Sequence, residues 1–176
     1  MRPLPSATIH MAAAYRWPAQ IVVHPQSQTT AGFWIDDRPI MSLPLTGTGH
    51  DLGLAALQAL SCSRSKVPVP NYKGADWTAL QREVWGAAGQ RSFRRFMANA
   101  YYVGLRLSDG VLTLQPTRNG GATGPDRGFR PLLEATLKMT APADPKTLGD
   151  ALSTAWSRCQ PAEANIWEQE TAAQSD

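Results

Sequence analysis

Two cysteines, Cys62 and Cys159, are too few to staple a chain of 176 residues or to build a four-cysteine zinc site. No apolar run approaches the roughly 18 residues that a membrane span needs. The first 17 residues carry Pro3, Pro5 and only a brief Ala12–Ala14 run, so they lack the apolar stretch of a secretory signal. Charge of one sign is also scarce: 17 Lys and Arg against 14 Asp and Glu leave +3, well short of a protein that coats nucleic acid. The three histidines, His10, His24 and His50, are scattered without metal-ligand spacing, and no serine or cysteine nucleophile motif accompanies them. These absences point to a cytoplasmic protein with free thiols, no membrane segment, no metal and no cofactor. With 43% hydrophobic residues the chain suits one domain with a real core.

What is present is a pattern used twice. Thr48 is followed four residues on by Leu52-Gly53-x-Ala55, and the segment closes with Cys62-Ser63-Arg64. Asp144 is followed four residues on by Leu148-Gly149-x-Ala151, closing with Ser157-Arg158-Cys159. Thr48 and Asp144 are N-cap types, Asp51 stands at N3, and Pro145 at N1 loses no hydrogen bond. Each segment therefore reads as a helix. Gly53 and Gly149 lie inside them, where glycine costs about 1 kcal/mol relative to alanine. A helix tolerates that where another backbone packs very close, so both glycines are assigned to packing. Arg64 and Arg158, at helix C-termini, favour the negative end of the dipole.

The rest divides by its punctuation. Residues 1–18 read as a flexible arm, with Met11 as an alternative start, residues 19–160 as a single domain, and residues 161–176 as a flexible tail in which Ile166 and Trp167 are docking candidates. Ala19–His24 reads as a strand closed by Pro25, and His24 as a strand-end residue. Gly32–Ile35 reads as a second strand, Asp36-Asp37 as a turn, and Arg38–Leu43 as an edge strand because of Pro39 and Pro44. Ser63–Gly74, with Pro68 and Pro70, is an extended loop. A helix follows, with Trp77, Leu80 and Val84 on one face and Gly89 as its stop. Ser92 caps a short helix with Phe93, Phe96 and Met97 inward. Tyr101–Leu107 and Val111–Gln115 flank Asp109-Gly110, a strong hairpin signal. Thr117–Gly128 reads as a long flexible loop, and Phe129–Met139 as one strand, although Glu134, Ala135, Leu137 and Lys138 would also suit a helix. The prediction is an α/β (α+β) single-domain layered fold, a mostly antiparallel central sheet flanked by helices.

The order of these pieces resembles the immunity proteins of bacterial contact-dependent growth inhibition systems, the CdiI family. The matching residues are Leu52-Gly53-x-Ala55 with Ser63-Arg64, Ser92-Phe93-x-x-Phe96, Val111-Leu-Thr-Leu-x-Pro116, Gly128-Phe129, and Leu148-Gly149-x-Ala151-Leu152 through Cys159. The likeness spans roughly residues 48–160, and order and spacing carry it rather than any single motif. It implies a non-enzymatic, cytoplasmic protein that binds the C-terminal toxin domain of a CdiA-type effector one to one. The toxin in such systems is often a nuclease, here expected to be an RNase. Many immunity proteins are acidic, whereas this chain is net positive, so charge mimicry by the whole surface is not expected.

Exposure and charge single out Asp36, Asp37, Tyr72, Asp76, Asp109 and Asp126 as toxin contacts. The runner-up is an RNA-binding module using Arg91, Arg94, Arg95, Arg106, Arg118, Arg127 and Arg130, but no recognition motif accompanies them, and a solvated face is the simpler reading. An enzyme comes third, for want of a nucleophile–base pair or metal constellation.

Overall fold

The computed structural model describes residues 8–162; the tail candidates Ile166 and Trp167 lie outside them. Among the described residues nine strands are present: β1 (His10–Arg16), β2 (Gln20–Thr29), β3 (Trp34–Asp36), β4 (Met41–Pro44), β5 (Ser65–Val67), β6 (Tyr101–Ser108), β7 (Val111–Asn119), β8 (Phe129–Pro131) and β9 (Leu137–Thr140). Four helices accompany them: α1 (Gly49–Cys62), α2 (Ala75–Ala87), α3 (Phe93–Ala98) and α4 (Pro145–Ser157). The sheet runs β3–β2–β1–β6–β7–β8, with β4 and β5 also on β2 and β9 also on β7. Every pairing is antiparallel except β2 with β5. The protein is an α+β fold.

The largest departure from the sequence reading is β1. Residues 10–16, assigned to the arm, form a central strand between β2 and β6. Ala12 and Ala14 point into one core and Ala13 and Tyr15 into the other, all below a tenth exposed. Alanine is a poor strand former, and pairing on both sides overrides that preference.

β2 also runs through Pro25 to Thr29, so His24 is a fully buried mid-strand residue rather than a strand end. Asp37 N–H donates to the Pro25 carbonyl, which fixes that residue's polar side towards β3 and β4. The missing proline N–H therefore falls in the gap where β3, reaching Gln26, gives way to β4, starting at Val23. Four smaller corrections follow. The second strand is Trp34–Asp36, with Gly32 and Phe33 in the turn before it. Part of the proline-rich loop pairs as β5. The presumed single strand from Phe129 is broken into β8, a 3-10 turn at Leu133–Ala135, and β9. Phe93 is 44% exposed rather than inward, while Phe96 and Met97 are buried.

α1 and α4 follow the expected design. Thr48 Oγ1 accepts from Asp51 N–H while the Asp51 carboxylate accepts from Thr48 N–H, and Asp144 accepts from Thr147 N–H. The two helices cross with each packing glycine against the backbone of the other helix. A Cβ at Gly53 would run into the Pro145 carbonyl, and one at Gly149 into the Gly49 carbonyl. Leu52, Ala56, Leu148, Leu152 and Trp156 pack with Val103, Leu105, Leu112 and Leu114 on one face of the sheet. On the other face, Tyr15, Trp17 and Val22 pack under Val84, Ala88, Phe96 and Met97 from α2 and α3.

The hairpin is as expected: Asp109 (φ 53°) and Gly110 (φ 72°) both take positive φ, as a type I′ turn requires. The loop read as long and flexible is shorter and closed. β7 extends to Asn119, Gly120 N–H donates to Gly128 O, and Gly128 N–H donates to Gly121 O.

Candidate partner-binding surface

Three exposed segments bring aromatic rings together beside α2. Phe33 follows the positive-φ turn at Gly32 (φ 90°). Tyr72 sits at the tip of a turn in which Gly74 N–H donates to Asn71 O and Lys73 N–H to Asn71 Oδ1. Trp77 lies in the first turn of α2. The Tyr72 ring meets Trp77 edge-on at 5.1 Å and Phe33 at 6.4 Å. Tyr72 is 50% exposed, Val69 44% and Phe33 40%. The sequence pattern puts Trp77 on one helix face with Leu80 and Val84, and Phe33 in a strand. Of these rings only Tyr72 is among the six candidate contacts, and the three-dimensional meeting of the segments joins Phe33 and Trp77 to it.

Of the six residues singled out, Asp36, Asp37, Tyr72 and Asp76 gather on this side. Gln81, one turn beyond Trp77, donates to Asp36 Oδ2 at 3.3 Å. Asp76 is exposed next to Trp77. Asp109 closes the β6–β7 hairpin at one end of the sheet, where Ser108 Oγ donates to it at 3.1 Å. Asp126 lies in the loop beyond the opposite end of β7 and pairs with Arg130 at 2.9 Å.

Asp36 and Asp37 already have internal partners. Ser27 Oγ donates to Asp37 at 2.6 Å and the Arg64 guanidinium at 2.8 to 3.0 Å. Burial alone would push the Asp37 carboxyl up. The bonds from Ser27, Arg64 and the Arg38 backbone outweigh it and hold the carboxyl below its usual range. Arg64 N–H also donates to Ser27 Oγ, and Ser63 Oγ joins Met11 N–H to Gln26 O. The Ser-Arg close of α1 thus ties it to β1, β2 and the residue after β3. In α4 the same dipeptide behaves differently: Arg158 donates to Ala135 O at 3.2 Å.

A carboxyl held low stabilises the fold fully above its unfolded value, and that contribution is lost as the pH falls through the folded value. Asp37→Asn is therefore expected to destabilise the protein at neutral pH. The deficit should shrink as the pH drops below about 4, the ordinary carboxylate value. Denaturant unfolding across that range measures it; a deficit unchanged at low pH would show that the carboxylate charge is not the cause.

Beneath α2 and α3 lies a polar-aromatic cluster. Tyr15 stacks on Tyr102 at 4.8 Å, Trp17 at 5.7 Å and His24 at 5.8 Å. His24 Nδ1 lies 3.0 Å from the Pro25 carbonyl, which can only accept, so Nδ1 carries the proton. Its Nε2 is buried without a hydrogen-bond partner, 3.9 Å from Asp36 Oδ1. Burial, and then the Asp36 charge, push the Tyr15 and Tyr102 phenols well up. Both stay protonated at neutral pH and offer hydrogen bonds rather than a nucleophile. Among the described residues no group of three or more His, Cys, Asp or Glu could hold a metal ion. Likewise, no helix among them is long and apolar enough to cross a membrane.

This surface is carried on an α+β fold, a sheet with helices on both faces. Residues 10–159 match the family model described as CdiI: CDI immunity protein, and the chain belongs to that family. No curated protein matches it. Among solved structures it is similar to a protein of unknown function from Neisseria meningitidis, with TM-score 0.71, 20% identity, and coverage of 89% of this chain and 99% of that one. It is also similar to a chain of the CdiA-CT/CdiI toxin and immunity complex from Yersinia pseudotuberculosis, with TM-score 0.70, 15% identity, and coverage of 89% and 100%.

Proposed function

We propose that this immunity protein binds the C-terminal toxin domain of a CdiA-type effector one to one and neutralises it in the cytoplasm of the producing cell, without turnover. The family match over residues 10–159 carries this reading. The likeness to a chain of a CdiA-CT/CdiI toxin and immunity complex supports it. We take the toxin to be a nuclease, and an RNase in particular. The Phe33–Tyr72–Trp77 patch suits the anchor of such an interface, since aromatic rings with exposed faces and few rotatable bonds dominate binding hot spots. Tyr72 and Asp76 are proposed as direct contacts. Asp36, Asp37, Asp109 and Asp126 are proposed as acidic contacts at the margins, the first two fixed in place by Gln81 and Arg64.

Co-expression tests the reading. The toxin domain encoded beside this chain should arrest growth and degrade RNA alone, and both effects should disappear when this protein is present. Arrest that persists with both proteins soluble would overturn it. Tyr72→Ala is expected to weaken the purified complex by about 2 kcal/mol, or some thirtyfold, as a central aromatic truncation does; titration calorimetry reads that change.

A further inference from the structure

Among the described residues, the sheet face opposite α1 and α4 is only half covered. The layer of α2 and α3 reaches as far as the paired residues His24 and Ala13, both at 0% exposure. One row further along the strands, exposure returns. Ladder register places Asp36, Gln26, Met11, Arg106, Thr113 and Lys138 side by side across six strands of that face, because residues directly opposite in antiparallel strands share a face. None of the six is buried, and Arg106 and Lys138 are exposed. Neither cation makes an ion pair or hydrogen bond among the described residues. β6, β7 and β9 set no acidic side chain on this face: alternation from Arg106, Thr113 and Lys138 gives only Gly, Ser, Tyr, Val, Thr, Gln and Asn beside them.

We propose that this uncovered half-face is part of the toxin-docking surface, and that it receives a stripe of carboxylates on the toxin across Arg106 and Lys138. The inference rests on the toxin-binding reading above and names the chemistry of the partner. Two observations select an acidic partner surface over a basic one. The two cations stand two ladder spacings apart, about 10 Å, and neither is ion-paired among the described residues. The one acidic member of the row, Asp36, stands at its far end and is engaged by Gln81. The part of the toxin above Arg106 and Lys138 is therefore not the phosphate-binding groove of a nuclease, which is cationic.

Size extends the footprint. Five strand spacings by four residues of strand make a patch of about 300 Å², less than half of the roughly 800 Å² that each partner buries in a stable complex. The remainder lies on the Phe33–Tyr72–Trp77 patch, which Gln81 and Asp36 join to the β3 margin of this face.

The test uses the intact protein with the toxin domain encoded beside it. The double charge reversal Arg106→Glu with Lys138→Glu is expected to lower affinity by at least about tenfold. Most of the loss should fall in the association rate, and the salt dependence should become shallower. Lys146→Glu, on the α4 side, should change none of these. Independently of any variant, carbodiimide treatment of the wild-type complex should join the Lys138 amine to a toxin Asp or Glu, identified by peptide mass. A wild-type protein that binds no toxin would overturn the function. A wild-type complex with no Lys138 cross-link, or with unchanged affinity in the folded double variant, would overturn the docking face alone.

Discussion

Gly149→Ala is expected to destabilise the protein by about 3 kcal/mol, at the upper end of overpacking costs. In an ordinary helix the same change would stabilise, by up to about 1 kcal/mol, because alanine has the better propensity. The sign reverses here because the added methyl meets the Gly49 carbonyl, its carbon and its Cα. Backbone cannot rotate away as a side chain can, so α1 and α4 must separate and loosen Leu52, Leu148 and Leu152 between them. Gly53→Ala meets the Pro145 backbone in the same way. Both contacts belong to one helix crossing, so a shift that relieves one relieves the other, and the double variant should lose less than the sum. Gly86→Ala is the control: nothing lies within 4 Å of a Cβ there, and it should be neutral or slightly stabilising. Thermal unfolding resolves the contrast, since 3 kcal/mol corresponds to roughly 10 °C for a chain of this size. A Gly149→Ala protein as stable as wild type would remove the close approach as the reason for the glycine.

Asn119→Ala is expected to cost a similar amount, about 3 kcal/mol. The side chain is 3% exposed. Its amide donates to Met97 O at 2.7 Å and to Ala100 O at 2.9 Å, and its Oδ1 accepts from Gly121 N–H at 2.8 Å. It therefore holds the end of α3, the approach to β6 and the closed loop 120–128 in one place. Alanine leaves Ala100 O and Gly121 N–H without this partner, while Met97 O keeps Ala100 N–H at 3.4 Å; each buried backbone group left unpaired costs about 1–3 kcal/mol unless water reaches it. Water can enter beside Gly121, which is only half-buried, and that limits the total. Amide exchange should show faster opening of Gly120, Gly121 and Gly128 than of β1. An effect confined to global stability, with loop protection unchanged, would mean that the loop closes without Asn119.

The two glycine helices were legible in advance because their signals are local. A cap and its N3 partner lie three residues apart, and a glycine inside a helix marks a close approach even before its neighbour is known. The type I′ turn at Asp109-Gly110 is equally local. Reading Asp36 and Asp37 as exposed contacts went less far, because a carboxylate's partners need not be near in sequence: Arg64 lies 27 residues from Asp37, and Gln81 lies 45 from Asp36. The net charge of +3 already spoke against an acidic mimic, but it could not say which cations stand free. Arg106 and Lys138 become a pair only through the register of β6, β7 and β9.

By itself the sequence determined the capped helices with their packing glycines, the central hairpin and the mixed α+β class, all from interactions within a few residues. Tertiary structure alone decided that residues 10–16 form the middle of the sheet, that Pro25 falls in a gap between two edge strands, and which half of a sheet face stays open. Those outcomes depend on partners as distant as Trp156, whose indole donates to Ala14 O across 142 residues. The energy that overrides alanine's weak strand preference comes from pairing and burial on both sides, and a linear reading contains neither.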